Sequence, residues 1–92
     1  MKDYLNAGLN ALSAGDLKEA EVLLTKAIDA EPLNAEAYFL RGKVRRQSSH
    51  FTSAINDFQK ALDINPNHNQ AKVSLEMVQR IISFRNPDLY NP

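Results

Sequence analysis

Ninety-two residues make one domain at most, and 43% hydrophobic with 24% charged residues is globular composition that argues against disorder. With no cysteine, disulfides and thiolate metal sites are excluded, so stability must come from packing, alone or with self-association. Eleven basic and eleven acidic residues give zero net charge, which weighs against a general polyanion binder.

The charges are segregated nonetheless: residues 1–36 carry a net of −4, residues 37–60 a net of +4, and the remainder none. Such a dipole steers a partner or favours pairing of two copies. The opening Met-Lys-Asp-Tyr-Leu lacks the apolar run of a signal peptide. No stretch approaches the roughly 18 apolar residues of a membrane span. The expectation is a cytoplasmic protein with no membrane contact.

In chain order, the first predicted helix runs from Tyr4 to Ala14 and ends at Gly15, a residue that tolerates the left-handed turn conformation. Asp16 caps the next helix, and Glu19 three residues later completes a capping box. Leu17, Ala20, Leu24, Ala27 and Ile28 then form one apolar stripe at helical spacing. Pro32 ends that helix, since proline cannot continue the hydrogen-bond ladder. Asn34 caps the next unit, whose two helices meet at Ser48-Ser49-His50, where Ser49 stands in the place of Gly15. Pro66 closes this unit as Pro32 closed the first. A last helix, about His68 to Phe84, is stopped by Asn86-Pro87.

A shift of 34 residues brings Tyr4 onto Tyr38, Gly8 onto Gly42, Ala20 onto Ala54 and Lys26 onto Lys60. It also brings Ala27 onto Ala61, Asp29 onto Asp63 and Pro32 onto Pro66. Chance gives about two identities in such a window; seven, concentrated at Gly, Ala, Pro and aromatic positions with five of the pairs there, make a repeat. Small residues let helix backbones approach closely, and Tyr4, Leu24, Tyr38 and Phe58 fill what is left. The last helix starts in phase, Ala71 matching Ala37, and then loses the pattern. It has two apolar faces. Ala71, Leu75, Val78 and Ile82 lie within about ±40° of one line, with Val73, Met77, Ile81 and Phe84 nearly opposite. One stripe suffices to cover the second unit, and a simple terminal cap is polar outside. The other stripe is therefore a candidate contact surface.

The large-Gly-Ala-large-Ala-Pro spacing over 34 residues resembles the tetratricopeptide repeat, most closely across AEAYFLRG through AINDFQKALDINP. The short tail resembles those of small stand-alone bacterial members. The resemblance implies an all-α, α–α superhelix of five antiparallel helices. Its parts are a unit at 1–34, a unit at 35–68, a closing helix at 69–85 and a tail at 86–92. In similar proteins the first helix of each unit lines a concave groove that takes a protein or peptide. Carried over, the groove falls on Leu5, Asn6, Leu9, Phe39, Lys43, Arg46, Val73, Met77, Arg80 and Ile81. Leu5 and Leu9 replace the polar pair by which some relatives clamp a terminal carboxylate, so that specificity is not expected. Ala7 and Ala11 are small where the family often has larger residues. At the same columns of the second unit, Arg41 and Arg45 line the seam between helices with their stems.

Catalytic chemistry is not expected. His50 and His68 sit at turn or cap positions without a second ligand at i+3 or i+4, so no metal is expected. Ser48 and Ser49 beside His50 have no orienting acid, and no nucleotide or nucleophile-elbow motif occurs, so no cofactor is expected either. Glu19, Glu21, Asp29 and Asp63 read as solvated carboxylates. The run Arg41, Lys43, Arg45, Arg46 points in several directions on a helix, which weighs against nucleic acid. Two readings remain: an interaction module with an apolar groove, or a homodimer that buries the same surface. The second arises because two units are fewer than the three usually needed for a stable array.

Overall fold

The computed structural model describes residues 3–85, which form five α-helices: α1 (Tyr4–Ser13), α2 (Leu17–Ala30), α3 (Ala35–Gln47), α4 (Phe51–Ile64) and α5 (Asn69–Arg85). The chain is all-α, and each helix packs on the one before it, with α3 also reaching back to α1 and α5 back to α3. The tail at 86–92 and Lys2 lie outside the described residues.

Helix starts follow from side chains that accept otherwise orphaned amide protons. Asp3, Asp16 and Asn34 accept from the amides of Asn6, Glu19 and Ala37 at 3.0, 3.2 and 3.2 Å. In α5 the cap is His68, whose Nδ1 accepts from the Ala71 amide at 3.1 Å. That helix therefore begins at Asn69, one residue later than the sequence suggests. His50 makes no such bond at the start of α4.

The inter-helix turns repeat bond for bond. Gly15 (φ 79°) donates to Leu12 O at 3.0 Å and Asp16 to Ala11 O at 2.9 Å. Ser49 (φ 63°) donates to Arg46 O at 3.0 Å and His50 to Arg45 O at 2.8 Å. Serine thus holds a left-handed conformation that costs an L-residue about 1 kcal/mol or more, because both flanking helices fix the turn.

The core is the small-large pattern of the repeat. Ala20, Leu24, Ala54, Phe58 and Ala61 are fully buried. Gly8 and Gly42 are required by close approach: a Cβ on Gly8 would stand 2.6 Å from the Leu24 side chain, and one on Gly42 2.6 Å from the Phe58 ring. Phe39 packs on Phe58 with ring centroids 6.0 Å apart and on His68 at 4.8 Å.

The two ends of the stack break the pattern. The α3 positions buried against α2 include Ala37, Leu40 and Val44; 34 residues earlier stand Asp3, Asn6 and Asn10, all exposed. At the other end, Tyr38 and Gly42 of α3 correspond to Lys72 and Glu76 of α5, also exposed. Glu76 brings a Cβ to the column where α3 needs a glycine. Among the described residues, these positions at both ends of the stack are polar where the matching positions inside it are apolar or glycine.

Candidate partner-binding groove

α1, α3 and α5 are the first helices of successive units, and α3 contacts the other two, so the helices that carry the predicted groove residues lie side by side. On α1, Leu5 is half-buried and Leu9 is 40% exposed. Asn6 is exposed, but its amide donates to Asp3 Oδ2 at 2.6 Å, which ties it to the helix cap at the end of the stack. Phe39 is only 4% exposed, because Phe58 and His68 hold its ring, and it contributes to this face only as the floor of an open hollow. Lys43 stands above it, Nζ 5.6 Å from the ring centre, within the range of cation–π attraction. Arg46 is half-buried and its Nε is sealed from solvent with no acceptor among the described residues.

On α5 the two-faced pattern is observed. Ala71, Leu75 and Val78 are buried against α4, whereas Val73 is 63% and Met77 40% exposed. Arg80 is exposed and Ile81 half-buried. Phe84, at the end of the same stripe, is 90% exposed. Two open hollows flank this stripe. One, of about 350 Å³, is lined by Phe39, Lys43, Asn69, Gln70, Val73 and Ser74. The other, of about 770 Å³, is lined by Phe51, Arg80, Ile81, Ser83 and Phe84.

The basic run of α3 divides by direction. Arg41 Nε and Nη2 each donate to the Asp57 carboxylate at 2.9 Å, and Arg45 Nη1 stands 3.1 Å from the same group. Arg45 also grips Glu21 with two bonds of 3.0 Å. Asp57 is buried, with a side chain 4% exposed. Burial opposes charge on Arg41, but the paired carboxylate more than offsets it and raises its pKa above the ordinary value. Burial likewise pushes the Glu21 carboxyl up; bonds from Arg45 and Thr25 and the charge of Arg41 overcome this and hold it below the usual range. Glu21 is therefore not the solvated carboxylate its sequence position suggests. Asp57 escaped the sequence reading, although a signal existed. Ala7, Ala11 and Leu23 of the first unit correspond to Arg41, Arg45 and Asp57 of the second, an apolar set replaced by a charged one. Lys43 and Arg46 remain for the groove face.

Among the described residues no group of three His, Cys, Asp or Glu side chains is placed to hold a metal ion. None of their helices is long and apolar enough to cross a membrane.

The tetratricopeptide repeat family model matches residues 5–73. A DnaJ homolog subfamily C member 7 homolog from Schizosaccharomyces pombe is 32% identical over 71 residues, 77% of this chain and 15% of the relative. A tetratricopeptide repeat protein 36 homolog from Nematostella vectensis is 34% identical over 70 residues, 76% of this chain and 39% of the relative. This chain thus spans well under half the length of both curated relatives. Among solved structures, the Arabidopsis OM64 TPR domain superposes with a TM-score of 0.83 at 30% identity, covering 86% of this chain and 65% of that one. The UNC-45 chaperone, described as binding and folding muscle myosin, shares the fold alone at 24% identity and a TM-score of 0.80, covering 91% of this chain and 9% of that one. The chain belongs to the tetratricopeptide repeat family. Domains of this family are generally non-catalytic protein–protein interaction modules.

Proposed function

We propose that the face formed by α1, α3 and α5 captures a helix or peptide of another polypeptide. The carrying observation is where the spare apolar surface lies. Of the six exposed large apolar side chains among the described residues, Leu9, Val73, Met77 and Phe84 stand on first helices of the units, with Val22 and Leu33 elsewhere, while positions where another unit would stack carry Asp3, Asn6, Asn10, Lys72 and Glu76. That placement favours a bound partner over a stacked unit as the occupant of this surface. Methionine adapts its shape to the surface it meets, which suits such a site. The absence of cysteine fits a reducing compartment such as the cytoplasm.

Replacing Met77 and Ile81 together by Glu tests the reading. Capture of partners from a cell extract should be lost while the helical circular-dichroism signal and melting temperature hold. Undiminished capture by this variant would sink it. A second copy is the competing occupant, favoured by the opposite charges of residues 1–36 and 37–60. Sedimentation across a concentration range separates the two, since a self-associating protein gains mass and melting temperature with concentration.

A further inference from the structure

The groove is apolar along its middle and cationic along its edge, and the edge has no acid of its own to neutralise it. Lys43, Arg46 and Arg80 take part in none of the ion pairs among the described residues. The one acid on the corresponding positions, Glu36, is engaged by His68 Nε2 at 2.9 Å. A carboxylate is the group that best satisfies a guanidinium such as that of Arg46. Leu5 and Leu9 offer no side-chain donor on the α1 side for a chain-terminal carboxylate.

Dimensions narrow the occupant further. The two hollows touch opposite ends of the α5 stripe, one at Val73 beside α3 and the other at Phe84 beside the start of α4. Eleven residues of helix separate these, a rise of about 16 Å. A partner helix lying along the stripe matches that span with apolar residues eleven positions apart, which return to the same face after three turns. We infer that the groove's occupant is an internal amphipathic helix of about three turns, with apolar anchors along one face and acidic side chains beside them. This rests on the groove reading above and adds the charge and length of the partner.

Three synthetic 18-residue peptides, C-terminally amidated, test it by fluorescence anisotropy with the full chain. All carry Leu or Phe at positions i, i+4, i+7 and i+11, flanked by Glu in the first, Gln in the second and Lys in the third. The Glu peptide should bind about tenfold more tightly than the Gln peptide at low ionic strength. The margin should shrink to about twofold in 0.5 M salt, and the Lys peptide should bind most weakly. The triple variant Lys43→Gln, Arg46→Gln, Arg80→Gln should bring the Glu peptide to within about twofold of the Gln peptide. Met77→Glu with Ile81→Glu should abolish both. Equal binding of the Glu and Gln peptides overturns the charge assignment and leaves the groove standing; failure of all three overturns both. A dimer broken by the Met77→Glu, Ile81→Glu variant assigns the stripe to a second copy and overturns the inference. A gain in Glu-peptide affinity on deleting residues 86–92 assigns it to the chain's own tail, with the same result.

Discussion

Replacing Asp57 with Ala removes the acceptor of two Arg41 bonds and one Arg45 contact, at 2.9, 2.9 and 3.1 Å, from a site 4% exposed. Arg45 keeps Glu21, and Arg41 keeps a 3.4 Å bond to Thr25 and the Tyr38 ring, 5.7 Å from its guanidinium carbon. Stranding a buried charge costs about 3–5 kcal/mol. Because only Arg41 is left without an ionic partner and its side chain is 15% exposed, the lower end applies, about 3 kcal/mol. A domain of this length has about 5–14 kcal/mol in all, so the variant should still fold. Urea titration followed by circular dichroism should show the midpoint falling by about 2 M, for a slope near 1.5 kcal/mol/M. The first unit supplies the control. Changing Arg41 and Arg45 to Ala and Asp57 to Leu installs the side chains of Ala7, Ala11 and Leu23, and should recover at least half of the loss, since the one charge it leaves without an ion pair, Glu21, has a side chain 36% exposed. A loss below about 1 kcal/mol for Asp57→Ala would refute the reasoning, as would a triple variant worse than the single one.

Gly42→Ala gains about 1 kcal/mol of helix propensity but sets a Cβ 2.6 Å from a buried Phe58 ring. A net loss of about 1–2 kcal/mol in thermal melting is expected, with Gly8→Ala losing less because Leu24 is an aliphatic chain with more freedom to turn. Ser49→Gly should raise stability by about 0.5 kcal/mol, read as a melting temperature a few degrees higher, since φ is 63° there. Glu21 has its carboxyl held below the unfolded value, so it stabilises the fold above about pH 4.3 and that contribution is lost as pH falls through the lowered folded pKa. Glu21→Gln should therefore flatten the acid side of the stability profile, seen as a smaller drop in urea midpoint between pH 7 and pH 3 than the parent shows.

The fold was legible in the sequence because its determinants are single residue types at fixed spacing: Gly42 where Phe58 must approach, Pro32 and Pro66 where a helix must stop, Asp16 and Asn34 where one must start. The Ser49 turn was legible only as a substitution at the Gly15 column, and the left-handed φ shows that the column outweighs the residue type. The groove was harder to read. Helical phase separated the buried face of α5 from Val73 and Met77, but phase does not say how deep a ring sinks, and Phe39 sank into the core. The charged seam left its trace across three columns, Arg41, Arg45 and Asp57 against Ala7, Ala11 and Leu23. Taken one at a time, Arg41 and Arg45 read as stems lining the seam and Asp57 as one acid among many, and only their joint departure from the apolar set marks them as partners.

That seam bears on the arrangement of the units. Glu21 lies on α2, Arg41 and Arg45 on α3, and Asp57 on α4, so one chain of bonds joins the second helix of unit one to both helices of unit two. Two short bonds at each of the Arg41–Asp57 and Arg45–Glu21 junctions hold orientation as well as distance. The angle between the units is thus tied by directional bonds. An apolar seam like that of the first unit would supply adhesion with less directional constraint. The charged one, whose net contribution to stability is modest beside a hydrophobic equivalent, is explained better as fixing the angle between the units than as strengthening the fold.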